Sequence, residues 1–133
     1  ENIVPTTTGA AIATAKVIPS LVGKFDGLSV RVPTAVVSLS DITAVLKRNA
    51  TKEEINEVFK RAAADPFYQG ILTVTEEPLV STDFRGNSHS SIVDLELTNV
   101  VGGNLVKIVA WYDNEWGYSN RLVEIVADVA ANI

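Results

Sequence analysis

Three groups of residues in this chain are of types that bind ligands, and the first is the run TTTGAA at residues 6–11. Hydroxyl groups and free backbone N–H groups at the start of a helix attract anions such as phosphate. Gly9 would let a ligand approach the backbone closely. The alternative is a plain helix cap formed by Thr8, with two further threonines that bind nothing.

The second group centres on Arg31, within the string SVRVPT at residues 29–34. Alternating apolar and polar residues predict a strand that ends at Pro33, with Arg31 on the face opposite the apolar residues. An arginine in that position can bind a phosphate through two parallel hydrogen bonds. The alternative is an exposed arginine on a hydrated sheet face. The first two groups support each other only if the helix start and this strand converge.

The third group is Asn114 with Tyr118, within the string WYDNEWGYSNR at residues 111–121. A side-chain amide can hydrogen-bond a carboxamide such as that of nicotinamide, and a tyrosine four residues later can pack against a flat ring. The alternative places Asn114 in a turn and Tyr118 in the core.

Nucleophilic and metal-dependent chemistry has few candidate residues here. The chain has no cysteine, which excludes disulfides and thiolate metal sites. Its one histidine, His89, would have to serve any Ser–His–Asp site and is expected to form structural hydrogen bonds in a serine-rich loop. The acidic pairs at 53–54 and 76–77 are predicted to be solvated charges, so no metal site is expected.

The composition is typical of a globular domain with one core, because 47% of the 133 residues are hydrophobic and 20% are charged. A formal net charge of −5 argues against nucleic acid or an anionic membrane as partner. No apolar stretch is long enough to cross a bilayer. No GxGxxG turn is present, so a doubly wound nucleotide-binding domain is not expected.

The elements that must position these groups follow from residue periodicity. A helix from about Gly9 to Pro19 is followed by a strand ending at Pro33 and a second strand over residues 36–47. The alternation in the second strand slips near Asp41, which indicates a bulge or a bend.

The rest of the chain is predicted to contain a helix, several strands and a last helix. Thr51 and Glu54 form a capping-box pattern before an amphipathic helix over residues 52–64. After a polar turn, Ser119 or Asn120 is expected to cap the C-terminal helix. Strands are predicted at 71–75, 79–83, 93–98 and 105–111. This order indicates an α+β fold with a mixed, mostly antiparallel sheet and helices on one face.

Four strings along nearly the whole chain resemble the family of phosphorylating glyceraldehyde-3-phosphate dehydrogenases: NIVPTTTGAA, VRVPT, HSS and WYDNEWGYSNR. The resemblance implies that residues 1–133 are a partial catalytic domain, which binds substrate and phosphate and ends in the C-terminal helix. The nucleotide-binding domain would lie upstream. The absence of any methionine agrees with a piece of a longer protein.

The resemblance also implies roles for single residues. Thr8 and Gly9 match the positions that bind the attacking inorganic phosphate. Arg31 matches the arginine shared by that phosphate and the phosphate of the substrate. Asn114 matches the asparagine that holds the nicotinamide carboxamide, and Tyr118 matches the tyrosine packed near the nicotinamide ring.

The implied reaction is the oxidation and phosphorylation of glyceraldehyde 3-phosphate with inorganic phosphate and NAD or NADP. His89 does not match the catalytic histidine of the family, which belongs upstream of residue 1 together with the catalytic cysteine. The chain alone is therefore expected to be inactive and to bind no cofactor tightly. The resemblance further implies a homo-oligomer, a tetramer in the intact enzyme, in the cytoplasm.

In the family that the chain resembles, the last helix packs against the nucleotide-binding domain, which is missing here. The apolar residues of this helix are therefore expected to be partly exposed and to cause copies of the chain to associate. These residues are Leu122, Ile125, Val126 and Val129.

Three alternatives stay open at this level. Erythrose-4-phosphate dehydrogenase belongs to the same family. A non-catalytic interaction or scaffold piece would tolerate the loss of Arg31 and Thr8. A free-standing phosphate-binding module would need its anion site preformed in this chain.

Overall fold

A computed structural model of the chain describes residues 1–133, which form two units, Glu1–Ala35 and Val36–Ile133. Each unit contains its own sheet. In the first unit, β1 (Val4–Thr7) pairs antiparallel with β2 (Leu28–Arg31), and α1 (Ala10–Val17) separates them in the chain.

α1 begins and ends close to the predicted residues, but the cap residue at its start is Gly9 instead of the predicted Thr8, and no side chain caps the helix. The hydroxyl of Thr8 accepts a hydrogen bond from the N–H of Ala10 at 3.2 Å. The helix ends at Val17, and a short 3-10 helix begins at Pro19. A proline disfavours helical backbone in the residue before it, which explains why α1 stops here.

The second unit is built on a four-stranded sheet with the strand order β3–β6–β5–β4. Two pairs, β3–β6 and β5–β6, are antiparallel, whereas β4 and β5 are parallel. With the helices, this confirms the predicted α+β class with a mixed, mostly antiparallel sheet. The strands are β3 (Ser38–Val45), β4 (Leu72–Thr75), β5 (Ser91–Val101) and β6 (Leu105–Tyr112).

The helices of the second unit are α2 (Lys52–Ala64) and α3 (Asn114–Ala131). The predicted capping box at the start of α2 is confirmed. The Thr51 hydroxyl accepts from the N–H of Glu54 at 3.2 Å, and the Glu54 carboxylate accepts from the N–H of Thr51 at 2.9 Å. α2 packs against β4 and β5. None of the helices combines the length and the apolar character that crossing a membrane requires.

The capping box makes Thr51→Ala a specific test of the start of α2. The substitution leaves the N–H of Glu54 without its side-chain acceptor, so we expect the free energy of unfolding to fall by about 0.5–2 kcal/mol. Urea denaturation followed by circular dichroism measures the change, with the exposed Thr82→Ala as control. A loss no larger than that of the control would contradict a role for this cap.

The core of the second unit lies on both faces of the sheet. Ile92 pairs with Trp111 and Val93 pairs with Ala110, so these adjacent pairs point to opposite faces. Val93 and Ala110 pack with Leu95 on the side that also contains residues of α2 and β4. The other cluster contains Ile92 together with Val37 and Phe84, and Trp111 packs against it.

The predicted bulge near Asp41 is wrong, because β3 pairs with β6 in one continuous register from Ser38–Tyr112 to Val45–Leu105. Asp41 instead forms a salt bridge with Lys107 of β6 at 2.8 Å. An acidic residue on the exposed part of a sheet needs no irregularity when a neighbouring strand supplies a cation.

The register shift lies in β5. Asp94 pairs with Val109 and Asn99 pairs with Lys107, so β5 advances from 94 to 99 while β6 advances only from 109 to 107. The predicted alternation over residues 93–98 therefore fails in its second half. Leu95 is 1% exposed and Leu97 is 48% exposed, although a regular strand would place both on one face.

The strand predicted at 79–83 is also wrong, since Ser81–Phe84 forms a 3-10 helix. The carboxylate of Asp83 accepts a hydrogen bond from the N–H of Val80 at 2.8 Å. This side-chain contact closes the turn and competes with extended pairing.

Candidate functional site

The start of α3 carries two of the predicted ligand-binding residues, and it lies earlier than the sequence predicted. α3 begins at Asn114, immediately after β6, so the predicted caps Ser119 and Asn120 lie inside the helix. The side-chain amide of Asn120 instead donates to the carbonyl of Trp116 at 2.8 Å, within the helix.

Asp113 is the cap of α3. Its carboxylate accepts from the N–H of Trp116 at 3.2 Å and from the N–H of Gly86 at 2.9 Å. Only the first of these bonds is local in sequence. The prediction failed because the side chain that starts the helix is fixed by a loop 27 residues away in the chain, which no pattern in the string 111–121 reveals.

Asn114 and Tyr118 are four residues apart on α3 and therefore lie on the same side of the helix. Both are exposed, and the exposed fraction of Tyr118 is 69%. The alternative that placed Tyr118 in the core is therefore wrong. The structure places a side-chain amide and an aromatic ring on the same accessible side of the helix, and their binding of nicotinamide stays a prediction.

The aromatic residue just before α3 has a packing role. The ring of Trp111 stacks on Phe84 with a centroid distance of 5.1 Å. Its indole N–H donates to the buried carboxylate of Asp94 at 3.1 Å. Trp111 therefore fixes the end of β6, from which α3 departs. Sequence reasoning did not single out Asp94, because a carboxylate in an alternating strand resembles an exposed residue.

The predicted anion-binding residues Thr8 and Gly9 lie in the first unit. They connect the end of β1 to the start of α1. A side chain added at Gly9 would meet no other atom within 4 Å, so the backbone here is open to an approaching ligand. The N-terminal end of an eight-residue helix follows directly.

Arg31 lies in the same two-stranded sheet as the threonine run but at its other end. It pairs with Val4, whereas the last pair before Thr8 is Thr7–Leu28. Val4 and Thr8 are four positions apart in the chain, which is about 13 Å along an extended strand. The sheet thus joins the two predicted groups without placing Arg31 directly beside Thr8.

The guanidinium of Arg31 is available for a ligand, because the residue is exposed and takes part in none of the salt bridges of the chain. It borders an open depression of about 270 Å³. The other residues that line this depression are Glu1, Asn2, Val4, Val32 and Pro33.

His89 forms the structural hydrogen bonds that the sequence predicted. Its ring Nδ1 lies 2.8 Å from the side-chain oxygen of Asn87, which also accepts from the backbone N–H of His89 at 3.0 Å. No group of three histidine, aspartate or glutamate side chains is arranged to hold a metal ion.

The chain matches a sequence model of the family described as "Glyceraldehyde 3-phosphate dehydrogenase, C-terminal domain" over residues 1–114. It is similar to glyceraldehyde-3-phosphate dehydrogenase of Zymomonas mobilis, with 54% identity over 132 residues, 99% of this chain and 39% of the relative. It is also similar to glyceraldehyde-3-phosphate dehydrogenase 2 of Bacillus subtilis, with 52% identity over 133 residues, 100% of this chain and 39% of the relative.

A third relative, glyceraldehyde-3-phosphate dehydrogenase of Streptomyces coelicolor, is 53% identical over 129 residues, 97% of this chain and 38% of the relative. The chain thus spans about two fifths of the length of the curated relatives it matches. The sequence match, which includes the threonine run, Arg31 and Asn114, shows that this chain belongs to the family of glyceraldehyde 3-phosphate dehydrogenase C-terminal domains.

Proposed function

We propose that this chain is the C-terminal part of a phosphorylating glyceraldehyde-3-phosphate dehydrogenase. The intact enzyme would oxidise glyceraldehyde 3-phosphate with NAD or NADP and inorganic phosphate. The similarity to relatives of that name supports the proposal. Residues 1–133 would form part of the catalytic domain, and an N-terminal part would supply the nucleotide-binding domain.

The observation that carries the proposal is the exposed pair at the start of α3. Asn114 presents an amide and Tyr118 an aromatic ring on one side of the helix. An amide can exchange hydrogen bonds with the carboxamide of nicotinamide, while the tyrosine ring packs against the flat heterocycle. Together they would orient the ring for hydride transfer, which the cofactor itself carries out.

The first unit would bind the anions. Thr8 and Gly9 offer a hydroxyl and open backbone at the start of α1, and Arg31 offers a guanidinium free of salt bridges. Thr8 and Gly9 would bind the attacking phosphate, and Arg31 would be shared between that phosphate and the phosphate of the substrate. This chain would thus contribute positioning and charge neutralisation.

The nucleophile must come from elsewhere, because the chain contains no cysteine. In the proposed reaction, an upstream thiolate attacks the aldehyde, hydride leaves to the cofactor, and inorganic phosphate releases the acyl group. The chain alone would therefore be inactive. A cytoplasmic location agrees with such an enzyme and is part of the proposal.

Activity of the full-length enzyme that contains this chain tests the proposed reaction. We expect reduction of NAD or NADP with glyceraldehyde 3-phosphate, dependent on added inorganic phosphate. A higher kcat/KM with erythrose 4-phosphate would instead assign the enzyme to the other branch of the family. The absence of phosphate-dependent reduction with both aldehydes would contradict the proposal.

Titration of inorganic phosphate into the 133-residue chain tests the anion site itself. We expect saturable NMR shifts at the backbone amides of Thr8 and Gly9, and we expect Arg31→Ala to weaken them by removing a cationic donor. Arg48→Ala serves as control, because Arg48 is exposed and pairs with Glu54 in the second unit. Equal shifts in all three proteins would argue against a role for Arg31.

Association of the isolated chain is a further expected result. Four apolar residues of α3 are exposed in the structure, with exposed fractions near one half or above: Leu122, Ile125, Val126 and Val129. Contiguous apolar surface of this kind favours association, as the proposed homo-oligomer and missing domain also imply. Sedimentation velocity at increasing concentration measures it, and a monodisperse monomer at high concentration would refute the expectation.

A further inference from the structure

The N-terminal part of α3 contacts the loop formed by residues 86–90 along one side of the helix. The three residues that make these contacts are Asp113, Gly117 and Arg121, spaced four apart and therefore aligned along the helix. Asn114 and Tyr118 follow the first two of them by one residue each, which is a rotation of about 100° around the helix axis. Asn114 and Tyr118 therefore lie next to the side of the helix that contacts the loop.

The first contact is the cap. The carboxylate of Asp113, which is buried, accepts from the N–H of Gly86 at one end of the loop. The same carboxylate starts α3 by accepting from the N–H of Trp116. One side chain therefore sets both where the helix begins and where it meets the loop.

The second contact is a close approach of two backbones. Gly117 is buried, and a side-chain carbon added there would lie 3.3 Å from the carbonyl oxygen of His89. This distance is shorter than an ordinary van der Waals contact between such atoms. A side chain at this position would require the helix or the loop to shift by a few tenths of an ångström.

The third contact is made by Arg121. One terminal nitrogen of its guanidinium donates to the carbonyl of Gly70 at 2.7 Å, to the carbonyl of Ser88 at 3.3 Å and to the hydroxyl of Ser90 at 3.3 Å. The other nitrogens bind the carboxylate of Glu124 on the same helix. The Arg121 side chain is only 19% exposed.

Arg121 thus forms two separate sets of hydrogen bonds. Its hydrogen bonds to Glu124 stay within α3, and they lower the pKa of the Glu124 carboxyl. Its hydrogen bonds to Gly70 and Ser88 cross to other segments of the unit, and a charged donor makes such bonds stronger than neutral ones. Only the second set can hold α3 in a fixed orientation relative to the loop.

We propose that Arg121 is a positioning residue for the nicotinamide-binding end of α3. It holds the helix against Gly70 and the loop formed by residues 86–90, and the exposed Asn114 and Tyr118 are thereby presented at a fixed angle. This inference rests on the proposed function, because it takes the pair as the group that orients nicotinamide. Arg121 itself touches neither the substrate nor the cofactor in this role.

The test compares two ligands in the full-length enzyme that contains this chain. ADP-ribose shares every part of NAD except nicotinamide, so the ratio of the two dissociation constants isolates the nicotinamide contribution. Arg121→Gln is expected to reduce the preference for NAD by about 3- to 10-fold, the equivalent of one hydrogen bond, with ADP-ribose binding unchanged. Calorimetric titration measures both constants.

Two further variants of this cluster serve as matched controls. Glu124→Gln weakens the contact within the helix and leaves the bonds to Gly70 and Ser88 in place. The ratio of its dissociation constants for NAD and ADP-ribose is therefore expected to equal that of the parent. Arg121→Lys keeps a cation but loses the planar guanidinium, so its preference for NAD over ADP-ribose is expected to lie between those of Arg121→Gln and the parent.

The outcomes separate this inference from the function on which it rests. Asn114→Ala should remove much of the preference for NAD over ADP-ribose. If Asn114→Ala leaves the ratio unchanged, the proposed role of the pair is wrong. If Asn114→Ala lowers the ratio and Arg121→Gln does not, only the role of Arg121 is overturned. Equal weakening of both ligands by Arg121→Gln would also overturn it, because it would show a general structural effect.

A second variant covers the case in which Arg121→Gln does not fold. Gly117→Ala alters the same attachment through the close contact with the His89 carbonyl. It is expected to lower the preference for NAD without a change in ADP-ribose binding. A folded Gly117→Ala enzyme with the ratio of the parent would overturn the inference.

Discussion

Replacing Leu95 by alanine is expected to lower the free energy of unfolding of the chain by about 2–5 kcal/mol. Leu95 is 1% exposed and packs with Val93 and Ala110 in the cluster to which Phe59 of α2 also contributes. Truncation removes buried apolar contacts and leaves a cavity, because the strands around it are held by backbone hydrogen bonds and cannot collapse fully. Urea denaturation followed by circular dichroism measures the loss.

Leu97→Ala is the matched control for this experiment. The two leucines lie on the same strand, and a regular alternation would bury both of them. The register shift after Asp94 leaves Leu97 48% exposed, so we expect a loss within about 0.5 kcal/mol for this substitution. Similar losses for the two variants would mean that β5 runs without the shift and that Leu97 belongs to the core.

Arg31→Ala is expected to lower kcat/KM of the full-length enzyme by about 10- to 150-fold. A hydrogen bond to a charged group contributes roughly 1.5–3 kcal/mol, and the proposed role of Arg31 is to bind phosphate through such bonds. The KM for inorganic phosphate is expected to rise as well. Steady-state kinetics with phosphate and glyceraldehyde 3-phosphate varied in turn measures both effects.

Two variants define what a loss at Arg31 means. Arg31→Lys retains the charge but not the bidentate geometry, so its kcat/KM is expected to lie between those of Arg31→Ala and the parent enzyme. Arg48→Ala removes an exposed arginine whose neighbour in space is Glu54, and it should leave the kinetics unchanged. If Arg31→Ala also leaves kcat/KM and the KM for phosphate unchanged, a scaffold role becomes the better account of this chain.

The elements with local signals were predicted well. The capping box of Thr51 and Glu54 placed α2 at residues 52–64, and the structure has the helix at Lys52–Ala64. The start of α1 was also predicted to within one residue, and the hydroxyl of Thr8 accepts a local hydrogen bond from the N–H of Ala10, although the cap residue is Gly9. In both cases the donor and the acceptor are within three residues of each other, so the string of residues contains both partners.

The residues of the candidate site were named from the sequence and their ligand-binding roles stay predictions, whereas the geometry of the site was not predicted. Asn114 and Tyr118 were singled out from their types and spacing, while the helix that carries them was predicted to begin several residues too late. Arg121 was overlooked, because its partners Gly70 and Ser88 accept through backbone carbonyls. A carbonyl is present at every position, so the sequence carries no signal for such a contact.

Short motifs along the chain thus carried the family resemblance, residue periodicity indicated the α+β class, and residue types and spacing named the candidate ligand-binding residues. The register of β5, the start of α3 and the attachment of Arg121 depend on groups that are distant in the chain. The cap at Asp113 depends on Gly86, and the exposure of Leu97 depends on how β5 pairs with β6. These features arise only when folding brings separate segments into contact, because their hydrogen bonds and packing are shared between segments that no single stretch of sequence contains.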